Sequence, residues 1–179
     1  MNRLAIYVLA AFALAVPAAV LADANQYNDP AMSFTAPADY RAVPVPSHDP
    51  AVFQDPAIVA AYIKDPGKQS FSQIMLRMQN FEGNTEGIEM TTETDMRNQG
   101  TDVFIKKTAT KLPNGMPAYW QEVTIGSGFD QMKVYQYVWA DGVRGVQLSI
   151  TSRYGAVDEP TAKRALANVS AVAYPKYRY

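Results

Sequence analysis

The chain has 179 residues, 16 lysines and arginines against 17 aspartates and glutamates, one histidine and no cysteine. That length allows one ordinary domain with a real core, so the fold does not depend on covalent staples. Disulfides, thiol nucleophiles and thiolate metal sites are excluded, and the scattered lysines and arginines form no basic stripe of the kind that nucleic acid requires.

The N-terminus, "MNRLAIYVLAAFALAVPAAVLADANQ", opens with Arg3 and an apolar run from Leu4 to Val16. The run is shorter than a bilayer span, Pro17 breaks it, and small residues follow. These features predict a signal peptide over 1–22, with cleavage after Ala22 or after Ala24. The bland alternative is an uncleaved anchor. No later run is long enough to span a membrane, so no membrane span is expected once the signal is removed. Export without cysteine fits a bacterial envelope, so the protein is expected to be periplasmic or extracellular.

Residues 23–31 read as a flexible lead. "MSFTAPADYRAVPV" reads as two short extended pieces around a turn at Pro37-Ala38-Asp39. "PVPSHDPAVFQDP" is a proline-rich loop, where missing N–H donors discourage sheet pairing. Ile58 to Lys64 is a buried strand or a short helix, ended by Asp65-Pro66-Gly67. In "FSQIMLRMQ" the alternation of Ile74, Leu76 and Met78 with Gln73, Met75 and Arg77 predicts a strand. Asn84 or Thr85 can cap a helix from Thr85 to Gln99, with Ile88, Thr92 and Met96 as a thin inward stripe and Gly100 as its stop.

Four strands then follow, about Asp102 to Lys111, Pro117 to Ile125, Phe129 to Ala140 and Val143 to Ser152. Turns at Asn114-Gly115, Gly126-Ser127-Gly128 and Asp141-Gly142 would join them as an antiparallel meander. Two-residue turns at the outer hairpins set Glu122 opposite Lys107 and Trp139 opposite Arg144, and the middle turn sets Tyr119 opposite Tyr135. One face then collects Phe104, Tyr119, Ile125, Tyr135, Tyr137, Val146, Leu148 and Ile150. The other mixes Ile105, Trp120, Met132, Val134 and Val138 with Lys107, Glu122, Gln136 and Gln147. "VDEPTAKRALANVSAVAYP" predicts a closing helix, with Asp158 as N-cap, Pro160 in the first turn and Ala162, Leu166, Val169 and Ala173 on one face. Two faces that need cover and two helices to supply it predict an α+β fold, an antiparallel sheet with a four-strand meander flanked by helices. The domain is expected over 32–174, with a C-terminal tail at 175–179.

The opening "SFTAPADY", the helix before the middle hairpin, "LPNGMPAYW", the pair "DGVRGVQLSITS" and the final amphipathic segment together resemble the Mog1/PsbP-like family. The similarity is one of layout and runs from Met32 to Tyr174. It carries over no functional residue. It implies an α-β-α sandwich and a binding or accessory task, as in photosystem accessory proteins and small envelope proteins.

Residues that carry chemistry are sparse. His48 is the lone histidine, in "PSHDP", and reads as a loop residue rather than a metal ligand. Ser47-His48-Asp49 holds the three residue types of a hydrolytic triad, but neighbours in sequence cannot form the relay. Glu86, Glu89 and Glu93 share a helix face beside Glu82 and Asp95; the plain reading is a solvated acidic face, and the functional one is weak Ca²⁺ attraction, a basic partner or carboxylate hydrolysis. No phosphate-binding glycine motif occurs. The aromatic group Tyr119, Trp120, Tyr135, Tyr137 and Trp139 is either core or a ligand platform. The ligand-binding expectation is an apolar groove on the mixed face, made of Trp120, Met132, Val134, Val138, Gln136 and Gln147. No catalytic residue, metal or cofactor is expected. The expected function is non-catalytic binding or accessory work in the bacterial envelope, with an envelope protein or a small apolar ligand as partner. The alternatives are a carrier that uses the Trp120 face and a carboxylate-dependent hydrolase.

Overall fold

A computed structural model describes residues 25–45, 57–98, 102–127, 131–153 and 155–174. The expected signal peptide, the Pro-rich loop with His48, and the tail at 175–179 lie outside these residues. Among the described residues the order is β1 (Gln26–Asn28), β2 (Met32–Thr35), β3 (Arg41–Val43), β4 (Ala57–Lys64), β5 (Ser72–Asn80), α1 (Thr85–Asn98), β6 (Val103–Lys111), β7 (Pro117–Ile125), β8 (Met132–Ala140), β9 (Arg144–Arg153), α2 (Glu159–Ala165) and β10 (Val169–Ala171).

The strands form a seven-stranded sheet in the order β3-β4-β5-β9-β8-β7-β6 and a three-stranded sheet in the order β1-β2-β10. Each pairing is antiparallel. The chain is thus a sheet-rich α+β fold. One face of the large sheet presents Tyr62, Ile74, Leu76, Met78, Trp120, Tyr135, Tyr137, Trp139, Val146, Leu148 and Ile150 to β2, β10 and α2, which add Phe34, Val169 and Ala162, with Leu166 at the C-cap of α2. Alternation explains this, because every second residue of a strand faces the same way. The opposite face meets α1, through Ile88 against Val138 and Ala140, and through Met96 against Val123 and Val134.

Three expectations need correction. The lead at 23–31 contains β1, which pairs with β2 from Gln26↔Thr35 to Asn28↔Ser33. The closing helix is only Glu159–Ala165; Val169 and Ala171 alternate inward from β10, which pairs with β2. The helix-like spacing of Leu166 and Val169 spans a turn rather than one helix. A small sheet and a two-turn helix therefore cover this face together.

The third correction concerns register. Leu112 N–H donates to Met116 O, Gly115 N–H donates to Leu112 O, and Gly115 has φ +94. Pro113 and Asn114 thus occupy the centre of a type I turn closed by a left-handed glycine, a three-residue loop instead of a two-residue type I′ turn. Lys106, not Lys107, lies opposite Glu122. The β7–β8 connection is longer as well, so Tyr119 faces Val138 and Trp120 faces Tyr137. Both slips are odd, and an odd slip turns a strand over. They cancel for β6 against β8 and invert β7 alone. At the third turn Trp139 faces Val146, an even slip of two from the expected Arg144, so β8 and β9 keep their faces.

Candidate functional site

Helix α1 lies on the sheet through a polar seam. Its N-terminus is capped by Asn84, whose Oδ1 accepts from Gly87 N–H at 2.8 Å. Thr85 Oγ1 accepts from Ala140 N–H at 3.2 Å and ties the first turn to the end of β8. Packing is tight here, since a Cβ at Gly87 would lie 3.0 Å from the tip of the Phe81 ring, which would have to yield. The expected inward stripe of Ile88, Thr92 and Met96 is buried, and Glu89 joins it at 1% exposure.

That carboxylate explains the seam. Glu89 Oε1 accepts from Gln121 Nε2 at 2.8 Å, and Glu89 Oε2 accepts from Lys107 Nζ at 2.9 Å. Gln121 Oε1 in turn accepts from Gln136 Nε2 at 2.5 Å. Lys107 also donates to Glu93 at 2.8 Å, and Arg97 donates to Glu93 at 2.7 Å. Beside this chain Gln147 Nε2 donates to Thr92 Oγ1 at 3.1 Å. A buried carboxylate is costly unless it is paired and hydrogen-bonded, and Glu89 is both. Hydrogen bonds from Lys107 and then Arg97 hold the Glu93 carboxyl below its ordinary range, and hydrogen bonds to Glu93 and then Glu89 hold the Lys107 ammonium above its own. The acidic face expected to be solvated is therefore partly turned inward, onto β6 and β7. Gln121, which the sequence reading did not single out, is the central link.

The six expected ligand-binding residues do not share a face. Met132, Val134, Gln136, Val138 and Gln147 lie on the α1 side, where Val134 packs with Met96 and Val123, and Val138 packs with Ile88. Trp120 lies on the other side, 6% exposed. It stacks on Tyr135 at 6.1 Å between centroids and meets Tyr137 edge-on at 4.8 Å. Lys163 Nζ of α2 sits 5.4 Å from the Trp120 ring centroid. The Trp120 face is the main core face. The indole N–H groups of Trp120 and Trp139 are buried without a hydrogen-bond partner among the described residues. Tyr119 and Ile125, expected on the core face, move to the α1 side with the inversion of β7, and Glu122 moves the other way.

A second buried polar group joins the two sheets. Arg144, 6% exposed, donates from Nε to Asp141 Oδ2 at 2.8 Å and from Nη1 to Asp29 Oδ2 at 2.7 Å. The Tyr174 ring lies 4.6 Å from its guanidinium carbon, and Tyr27 Oη donates to Asp29 at 3.0 Å. Asp141 Oδ1 accepts from the N–H groups of Val143 and Arg144, so the same aspartate shapes the β8–β9 turn. The sequence signal for this cluster was the Asp141-Gly142 turn, which was read only as a connection.

Among the described residues no group of three His, Cys, Asp or Glu could hold a metal ion. No described helix is long and apolar enough to cross a membrane.

No protein-family model matches the chain, and no curated protein matches it. Among solved structures, the chain is similar in fold to LpqN of Mycobacterium tuberculosis, described as involved in cell envelope biogenesis. The TM-score is 0.58 at 14% identity, over 82% of this chain and 87% of that one. A protein of Bacteroides thetaiotaomicron aligns with a TM-score of 0.44 at 11% identity, over 83% of this chain and 48% of that one.

Proposed function

We propose that this protein is an exported, non-catalytic binding or accessory protein of the bacterial envelope. The observation that carries the reading is the fold shared with LpqN, a protein described as involved in cell envelope biogenesis, across most of both chains. Fold analogy alone is a weak warrant, so the side chains must agree with it. The acidic face of α1 supports it: Glu89 and Glu93 are bridged by Lys107, and Glu89 is sealed from water. A general acid needs a raised pKa, whereas Glu93 is held down. These groups hold α1 on the sheet. The layout, with β6 to β9 joined in sequence and helices on opposite faces, also supports placing the chain beside the Mog1/PsbP-like α-β-α sandwiches.

Fractionation of the native host with N-terminal sequencing, followed by cross-linking in the intact envelope, tests this. The expected result is a processed chain that begins at Asp23 or Asn25, found in the periplasmic or extracellular fraction and cross-linked to a discrete envelope protein. An intact Met1 in the membrane fraction would overturn the export reading. A hydrolytic activity abolished by Glu89→Gln would overturn the non-catalytic one.

A further inference from the structure

Strand β6 ends the seven-stranded sheet and, among the described residues, pairs only with β7. The strand at the opposite end, β3, has three residues, whereas β6 has nine. The β6–β7 register runs unbroken from Val103↔Ile125 to Lys111↔Pro117, so no bulge turns the edge away. Six successive residues, from Lys106 to Lys111, are exposed, and Phe104 is exposed at 67%.

The ladder shows which backbone groups stand open. Leu112 N–H donates to Met116 O at one end, and Gly126 N–H donates to Asp102 O at the other. Both are even-numbered positions of the β6 segment, and hydrogen-bonded pairs alternate along an antiparallel ladder. The even residues therefore bond to β7. The N–H and C=O groups of Val103, Ile105, Lys107, Ala109 and Lys111 point outward. Natural sheets blunt such edges because an extended chain can pair with them.

The charge of this edge is one-sided. "VFIKKTATK" holds three lysines and no acid. Lys107 is neutralised by Glu89 and Glu93, but Lys106 reaches Glu122 only at 4.0 Å with a side chain 64% exposed. Lys111 forms no ion pair among the described residues. A second copy of the chain would lay one lysine-bearing edge along another, and like charges across a strand pair are unfavourable.

We propose that the outer edge of β6 is an interaction edge that takes an extended acidic segment of an envelope protein as an added strand. Main-chain hydrogen bonds to the outward groups at Ile105, Lys107 and Ala109 supply the docking, and acidic side chains opposite Lys106 and Lys111 select the partner. This deepens the accessory reading and takes only the compartment from it.

The test uses two capped peptides on a valine–threonine background, one with glutamates five positions apart to match Lys106 and Lys111, which lie on opposite faces of β6, and one with lysine in place of glutamate. Amide hydrogen exchange is followed residue by residue. The glutamate peptide is expected to slow exchange at Ile105, Lys107 and Ala109 by about tenfold, with little change at Thr108 and Thr110, which already bond to β7. Ala109→Pro removes one outward N–H and abolishes the protection, while Ala109→Val keeps it; thermal melts confirm that both variants fold. The surface variant Lys106→Glu/Lys111→Glu exchanges the preference to the lysine peptide. Absence of protection at the outward amides overturns the proposal, and so does equal protection by both peptides. Protection that grows with protein concentration alone, without peptide, assigns the edge to a second copy and overturns it too. These outcomes are independent of fractionation and cross-linking, so failure here is distinct from failure of the envelope reading.

Discussion

Arg144 and Asp29 lie 115 positions apart in the chain, and their side chains meet at 2.7 Å between the two sheets. Asp141 completes the pair, 3% exposed. Removing the cation leaves two carboxylates facing each other with little water. Arg144→Met is expected to destabilise the protein by about 3 kcal/mol or more, since breaking a buried pair strands its partners. Urea denaturation measures this. A change below about 0.5 kcal/mol, the size of an ordinary surface effect, would show that the cluster does not join the sheets.

The same contact sets an acid limit. Burial pushes the Asp29 carboxyl up, but hydrogen bonds from Arg144 and from Ala31 N–H, with the charge of Arg144, outweigh it and hold the group below the ordinary carboxylate range. In the window between the folded and unfolded pKa values the unfolded chain binds more protons, so stability there rises with pH. The contribution is fully present above about pH 5 and is lost as pH falls through the folded value. Asp29→Asn is expected to flatten this acid limb in melting curves taken from pH 6 to pH 3. An unchanged pH slope in the variant would assign the limb to other carboxylates.

Gly145 on β9 lies under the helix. A Cβ at this position would collide with the Ile88 side chain. Gly145→Ala is therefore expected to cost about 1–3 kcal/mol by overpacking. Ile88→Val beside it should recover part of the loss, giving a coupling of about 0.5 kcal/mol or more in a double-mutant cycle. Strict additivity would show that α1 does not bear on the sheet at this point.

Trp139 is fully buried, and its indole N–H has no partner among the described residues. Trp139→Phe deletes that donor along with some volume. Its cost is expected to fall well below the ~3–5 kcal/mol typical of truncating a buried tryptophan to alanine. Parallel urea titrations of Trp139→Phe and Trp139→Ala decide this, and equal losses would mean that the indole N–H is satisfied in solution.

The seam under α1 yields a further contrast. Glu89→Gln keeps the shape and the hydrogen bond from Gln121 but loses the charge that meets Lys107. Glu89→Leu also removes the acceptor and leaves Gln121 Nε2 buried without one. The leucine variant is expected to be the less stable of the two by about 1–3 kcal/mol, the cost of an unsatisfied buried donor. Thermal denaturation separates them, and the reverse order would show that apolar packing, not the polar chain, seats the helix.

Local patterns in the chain were enough for the strands around Ile74 and Leu148, the helix from Thr85 with its stripe Ile88–Thr92–Met96, and the Asp158 cap. These depend on alternation, helical spacing and capping, which act within a few residues. The side of the sheet on which Trp120 sits was not legible. It depends on whether a loop holds one residue more or less, and that small difference turns over all of β7. Pro113 before Asn114-Gly115 was the available signal, because proline favours the second position of a type I turn. Val169 and Ala171 show the same limit, since their partner β2 lies at the other end of the chain and only tertiary pairing makes them a strand. The buried roles of Glu89 and Gln121, and the meeting of Arg144 with Asp29, were likewise decided by tertiary structure. A charged side chain looks solvated in sequence until the fold brings its counter-ion, and here that counter-ion arrives from another part of the chain, Lys107 from β6 and Asp29 from the β1–β2 connection.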